Sequence, residues 1–374
     1  MATLTQHGYL VLADISGYTS YFAGNELEHA HEILTALLET IVAKFKTLLT
    51  ISKLEGDAVF GYVPEAKLPR GETLLEMLES TYVAFRDHVE AAHRRTTCEC
   101  NACRNIPSLD LKFMTHHGDF IVQHISGIKE LVGSDVNLVH RLMKNHIAEA
   151  TGWHAYALFT DKSLDHMGLR PAEMHEQAEA YEHLGEVKTF SLNMRQRYKE
   201  LKDANPVLLK PEEADVVVTH DFPVPPPIVW NWTNDPGKRV LWSSLTEVKV
   251  FRRKDGRTGA GAKVHCIHDK KLVNAETVLD WRPFEYWTHQ STSGPMLLTF
   301  YLESIRDGQG TRLSMRIKGQ MPIPDFIRRP MLNFMMKFFK MSQAYDKLEA
   351  MMVNEQKELA ALEQMPESES KTQE

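Results

Sequence analysis

Short apolar runs alternate with long amphipathic stretches through the first half of the chain, a rhythm that predicts strands interleaved with helices. Tyr9 to Ala13 is an unbroken apolar run, as in a strand buried on both faces. Asn25-Glu-Leu-Glu28 then offers a capping-box start, and Leu27, Leu34, Leu37, Leu38, Ile41, Val42, Phe45 and Leu48 recur at helical spacing to about Leu49. Thr50 to Leu54 and Ala58 to Val63 read as two strands joined tightly through Glu55-Gly56. A second helix is expected from about Glu72 to Arg94, followed by strands near Leu109 to Thr115 and Phe120 to Ile125. The order to that point is βαββαββ. A helix over Ser134 to Ile147 and strands at Ala155 to Phe159 and Val187 to Leu192 extend it into a mixed sheet with helices packed on it.

The pattern changes near residue 193. Residues 193–213 are rich in Arg, Lys, Glu, Asn and Pro, which reads as a linker or connecting helix between domains at 1–192 and 214–362. Beyond it, a strand at Asp215 to His220 and a proline-led short helix carrying Trp230 and Trp232 precede six strands in succession. These are Val248 to Arg252, Ala262 to His268, Leu272 to Asp280, Glu285 to Gln290, Met296 to Ser304 and Thr311 to Lys318, an antiparallel meander. A long helix from about Asp325 to Leu362 follows, with Leu332, Met335, Phe339, Tyr345, Leu348 and Met352 on its inward face. The polar acidic stretch 363–374 is expected to be disordered. The fold class is α+β throughout.

Composition narrows the possible partners. The 374 residues include 43 basic and 50 acidic side chains, a net charge of −7, which argues against nucleic acid as a main partner. No stretch approaches the roughly 20 apolar residues of a membrane span, and the start has no basic and apolar leader pattern, so a cytoplasmic protein is expected. Three of the four cysteines crowd into Cys98-Glu-Cys100-Asn-Ala-Cys103, unlike a disulfide framework. Three soft thiols in six residues suit Zn²⁺ if a fourth ligand exists, with His93, His116 or a partner subunit as candidates; a reduced thiol cluster is the alternative. Most histidines, His29 and His31 included, read as ordinary surface or framework residues.

Asp14 ends the first strand and Asp57 follows the hairpin turn, so neighbouring strands would bring both carboxylates to one sheet edge, where they can hold divalent cations against a nucleotide's phosphates. Ala13-Asp14-Ile-Ser-Gly-Tyr-Thr, Lys53-x-x-Gly56-Asp57, His116-His117-Gly118 and Gly133-Ser-Asp-Val136-Asn137-Leu-Val-His-Arg141 stand in the order and spacing of class III nucleotidyl cyclases. Over about residues 8–192 the chain resembles that ferredoxin-like catalytic domain. The resemblance implies that Asp14 and Asp57 bind Mg²⁺ or Mn²⁺, that Asn137 and Arg141 position the ribose and stabilise the transition state, and that Lys53 and Glu130 read the base. It further implies ATP as substrate, cyclic AMP as product, and a homodimer with two sites formed head to tail between chains. One departure stands out: the family's Lys-Gly-Lys-Gly segment is replaced by Tyr181-Glu182-His183-Leu184-Gly185, without either lysine.

Residues 214–355 resemble the START-like, helix-grip fold (SRPBCC class) of polyketide cyclases and lipid carriers, which implies an apolar cavity for a small hydrophobic ligand. Two functions follow. The first is a cyclase regulated by that ligand; the second is a catalytically inactive, nucleotide-sensing or dimerising scaffold whose function lies in the ligand-binding half. A basic amphipathic surface built on Phe326, Arg328, Arg329 and Phe334 is a further option for the terminal helix.

Overall fold

A computed structural model describes residues 5–364 except 69, 96, 97, 99, 126, 127, 172, 254, 255, 269–271, 292, 293 and 339. Residues 365–374 of the expected tail and Phe339 lie outside the described residues, while 363 and 364 belong to the terminal helix rather than to a disordered tail. The chain divides into two compact units between Ala204 and Asn205.

In the first unit the strands are β1 (Thr5–Ser16), β2 (Thr50–Glu55), β3 (Ala58–Pro64), β4 (Asp110–Ile125), β5 (Ile128–Val132), β6 (Tyr156–Thr160), β7 (His175–Tyr181) and β8 (Gly185–Asn193). They form one sheet in the order β2-β3-β1-β4-β6-β8-β7, with β5 paired to the far end of β4. All pairs are antiparallel except β4 with β6. The helices are α1 (Tyr18–Ala23), α2 (Leu27–Phe45), α3 (Glu72–Arg95), α4 (Asn101–Asn105), α5 (Ser134–Leu142), α6 (Ile147–Thr151), α7 (Asp161–Met167) and α8 (Met194–Asp203). Leu10 and Leu12 join Phe60, Met114, Val139 and Leu142 in a core beneath α5. On the opposite face Phe45 of α2 stacks on Phe113 of β4 at 6.4 Å. Burial on both faces is why β1 reads as a continuous apolar run rather than an alternation.

Several sequence expectations change here. The segments at 109–115 and 120–125 are one 16-residue strand, because β4 pairs with β1 from Thr5↔Ile121 to Ser16↔Asp110 without a break. The strands β5 and β7 were not expected. The helix predicted over 134–147 ends at Leu142, and α6 starts afresh at Ile147. Asn25 is not the cap of α2: Glu26 holds that position, while the Asn25 amide donates to Tyr21 O and its Oδ1 accepts from Asn105. Residues 193–213 are ordered in two parts, the first of them a helix, as in the connecting-helix alternative. In α8, Arg197 binds buried Glu79 at 2.9 Å and Tyr198 bonds Asp87 and Glu90. Val207 and Leu209 belong to the second unit, where their amides donate to Asp280 and Thr299.

The second unit is a seven-stranded antiparallel sheet: β9 (Val216–Phe222), β10 (Glu247–Phe251), β11 (Lys263–His268), β12 (Leu272–Arg282), β13 (Tyr286–Ser291), β14 (Met296–Ile305) and β15 (Gly310–Gly319). Its order is β10-β11-β12-β13-β14-β15-β9, a meander closed by the first strand on the last. Between β9 and β10 lie α9 (Pro226–Asn234) and α10 (Pro236–Trp242). The expected single terminal helix is two, α11 (Asp325–Phe338) and α12 (Met341–Gln364), with Lys340 between them at φ 50°. Tyr345, Leu348 and Met352 of α12 join Trp230, Trp242, Val264 and Trp287 in one apolar core, and Leu332 of α11 is buried beside Ile317. No helix among the described residues is long and apolar enough to cross a membrane.

Candidate functional site

Leu10, Leu12 and Asp14 point to one face of β1, and Asp14 pairs with Ala58 of β3, the residue after Asp57. Gly56 turns the hairpin at φ 65°, a left-handed position that glycine adopts without strain, and the Asp57 carbonyl accepts from Ile15 N at 3.2 Å. The two aspartates therefore meet at one sheet edge. Burial and the neighbouring Asp14 charge raise the Asp57 carboxyl above its ordinary value. Lys112, opposite Asp14 in β4, sets its ammonium 3.0 Å from Asp14 Oδ2. Burial works against that ammonium, but Asp14 leads the charges that outweigh it, and its pKa is raised. Two neighbouring carboxylates, one of them paired with a lysine, form a donor set that fits a hard divalent cation, since oxygen lone pairs remain beyond the Lys112–Asp14 contact.

Lys53 pairs with Phe60 across the hairpin and so shares the face of Asp14 and α5. Its ammonium reaches Glu55 at 2.7 Å and Glu130 of β5 at 3.7 Å. His140, one residue before Arg141, completes the group by meeting Glu55 at 3.2 Å and the Phe60 ring at 4.8 Å. Burial lowers the His140 pKa, with Glu55 opposing. The structure thus brings Lys53 and Glu130 within reach of each other.

Asn137 and Arg141 occupy successive turns of α5, exposed, with no hydrogen-bond or ion-pair partner among the described residues. Their helix is anchored from below. Asp135 accepts from Asp119 N at 2.7 Å and from His116 Nε2 at 3.1 Å, while His116 Nδ1 meets Thr160 at 2.8 Å. Only glycine fits at 118, where a Cβ would stand 2.3 Å from the Asp135 carboxylate. The His116 hydrogen bond, against burial and with help from the Asp119 amide, holds the Asp135 carboxyl down to about 2. His117 faces the other way: its ring stacks on His166 at 3.6 Å, and burial pushes its pKa down to about 4.

The β7–β8 turn presents Glu182 and His183 to solvent and offers no cation where a triphosphate contact was sought. Cys98, Cys100 and Cys103 gather beside the first turn of α2, near His29. His116, a candidate ligand for them, is committed to Asp135 and Thr160; His93 is not among the residues gathered there.

In the second unit a cavity of about 340 Å³ is lined by Trp242, Leu298, Phe300, Met315, Met335 and Tyr345. Arg239, Cys266 and Glu276 form its polar wall. Glu276 accepts from His289 Nδ1 and Asn274 Nδ2, both at 2.9 Å, and Arg239 Nη2 stands 3.8 Å away. Burial alone would raise the Glu276 carboxyl, but the His289 bond and the Arg239 charge hold it at about 2; burial pushes the Cys266 thiol up to about 11. Arg328, placed by one alternative on a basic surface, forms a fork with Asp215.

Sequence reasoning missed Lys112, His140, Asp135, His29 and Arg239. Asp135 and His140 were within reach, because both lie inside the Gly133–Arg141 motif; the other three become visible only once distant elements meet.

Residues 34–151 match a family described as a protein of unknown function (DUF2652). An uncharacterised protein of Mycobacterium tuberculosis is 31% identical over 114 residues, which are 30% of this chain and 52% of that one. The chain spans about half the length of that curated relative. Among solved structures, it is similar to a guanylyl cyclase (TM-score 0.40, 15% identity, 51% of this chain and 93% of that one). It is also similar to an adenylyl cyclase from P. aeruginosa (0.38, 16%, 51% and 95%) and to a bacterial light-regulated adenylyl cyclase (0.41, 11%, 54% and 58%). Likeness at this level leaves the chemistry to the side chains.

Proposed function

We propose that the first unit is a class III nucleotidyl cyclase-type domain that binds a nucleoside triphosphate between two copies of the chain. The observation that carries this is the meeting of Asp14 and Asp57 at one sheet edge, with Lys53 facing Glu130 and an unpartnered Asn137–Arg141 pair on the same face of the fold. In this reading Asp14 and Asp57 of one protomer hold Mg²⁺ or Mn²⁺, and Lys53, Glu130, Asn137 and Arg141 of the other receive the base, ribose and phosphates. The cation supplies charge neutralisation and lowers the pKa of the ribose 3′-hydroxyl. The 3′-oxygen attacks the α-phosphorus, pyrophosphate leaves, and cyclic AMP forms. Arg141 has its whole guanidinium free to fork onto phosphate oxygens as charge develops. A cytoplasmic homodimer is the form this implies.

The second unit we read as a START-like, helix-grip domain whose cavity takes a small, largely hydrophobic ligand that regulates the first. The apolar lining supports a hydrophobic body for that ligand. A second reading is favoured by two observations: Lys112 already serves as a counter-ion to Asp14, and the β7–β8 turn has no lysine. In that reading the first unit is a non-catalytic nucleotide-sensing or dimerising scaffold.

Turnover separates them. The purified chain is incubated with ATP or GTP and Mg²⁺ or Mn²⁺, with cyclic products resolved from hydrolysis products. Cyclic product that vanishes in Asp57→Ala supports the enzyme; a folded dimer giving none supports the scaffold.

A further inference from the structure

Four soft or borderline ligand atoms converge where the insertion after α3 returns to α2. His29 Nδ1 lies 3.2 Å from Cys100 Sγ and 3.7 Å from Cys98 Sγ, and the ligand atoms of His29, Cys98, Cys100 and Cys103 all lie within 4.8 Å of one another. None of the three cysteines is in a disulfide, and Cys103 is buried. Tetrahedral Zn²⁺ with thiolate and imidazole ligands places its donors at comparable mutual separations, with bonds of about 2.3 Å to sulfur and about 2.0 Å to nitrogen.

The loop is shaped in advance for this. Cys100 caps α4, and its Sγ accepts from the Cys103 amide at 3.4 Å, an N–H···S bond that would steady a metal-bound thiolate. Glu26, at the cap of α2, accepts from the amides of Asn101 and Ala102 at 3.3 and 3.0 Å. The Tyr21 hydroxyl donates to Ala102 O at 2.9 Å, and Asn105 donates to Asn25. Each contact joins the insertion to the α1–α2 segment, so the fourth ligand comes from an element about 70 residues distant in sequence. It comes from neither His93 nor His116.

The geometry points to a structural Zn²⁺ site of the Cys₃His type, with His29 Nδ1 as its fourth ligand, stapling the insertion to the start of α2. Three thiolates and an imidazole close the tetrahedron and leave no open position for chemistry. Binding releases the thiol protons, and the complex carries one net negative charge. The staple lies just beyond β1 and Gly17, on the segment that leads out of the Asp14 strand. It does not depend on the nucleotide reading, and its test needs no activity.

The test is elemental analysis of the full-length chain after dialysis against zinc under reducing conditions, together with the absorption spectrum of the Co²⁺-substituted protein. One zinc per chain is expected. Intense tetrahedral d–d bands with thiolate-to-cobalt charge transfer are expected alongside it. Cys100→Ser, Cys103→Ser and His29→Ala should each weaken zinc retention against a competing chelator by at least tenfold, whereas His31→Ala should leave it unchanged. His29→Cys guards against simple misfolding, because a fourth thiolate should restore retention. A wild-type chain that takes up well under half an equivalent of zinc would overturn the assignment. Unchanged retention in His29→Ala would remove His29 from the ligand set and overturn it equally.

Discussion

The two polar groups at the centres of the two units solve opposite problems. In the first, Asp14, Asp57 and Lys112 stand at the open edge of a sheet, where charge can be traded between an internal lysine and an incoming cation. In the second, Glu276, His289, Asn274 and Arg239 sit in the wall of an apolar cavity, where every charge must be answered within the fold. Substitution of the open group should change what the protein binds. Substitution of the closed group should change whether the unit folds.

The largest expected effect comes from the closed group. Glu276→Ala leaves His289 without its acceptor and Arg239 without its counter-charge, and should destabilise the second unit by about 3–5 kcal/mol, read as an early denaturant transition. A loss under about 1 kcal/mol would show that water reaches this wall freely.

Next is the anchor beneath α5. The Asp135 carboxyl, about 2 in the folded state against an ordinary 3.8, contributes about 2 kcal/mol that is fully present above pH 4. That contribution fades as the pH falls from about 4 towards 2, where the carboxyl protonates in both states. Asp135→Asn should lose it at neutral pH and flatten this part of the stability profile. An unchanged acid profile in the variant would contradict the anchor.

Lys112→Met tests the open group directly. If the lysine competes with a cation for Asp14 and Asp57, its removal should tighten Mn²⁺ binding about tenfold by calorimetric titration, a change of about 1.4 kcal/mol. Weaker binding would mean that Lys112 organises the carboxylates instead of competing for them.

The smallest stability effect belongs to Arg141. With its side chain exposed and without a partner among the described residues, it should tolerate Arg141→Ala within about 0.5 kcal/mol in thermal unfolding, while cyclic product falls by about 10²-fold or more. Unfolding shifted well beyond that margin would assign Arg141 to the architecture.

The second unit was the more legible in the sequence, because its strands alternate cleanly and are separated by Gly and Asp turns. Each of its seven strands falls within two residues of its expected bounds. The first unit hid β7, whose His-Glu-Gln-Ala-Glu-Ala-Tyr sequence is polar because it is an edge strand packed on one neighbour only. The break between α11 and α12 carries no glycine or proline, whereas Pro330 sits inside α11 without ending it, so local signals pointed the wrong way. At the candidate site the motif residues could be named through the resemblance to a known family. Their partners could not: Lys112 meets Asp14 through strand register, and His29 meets the cysteines through the packing of an insertion on a helix. Pairings of that kind belong to the tertiary structure.

The measurement that bears most directly on the shared nucleotide site is complementation between inactive chains. Asp57→Ala and Arg141→Ala disable opposite halves of a site built from two protomers, so a fully exchanged equal mixture should contain half mixed dimers, each with one intact site. Cyclic product should then return to about a quarter of the wild-type rate. A mixture as inactive as its components, with exchange demonstrated, would contradict a site shared between chains.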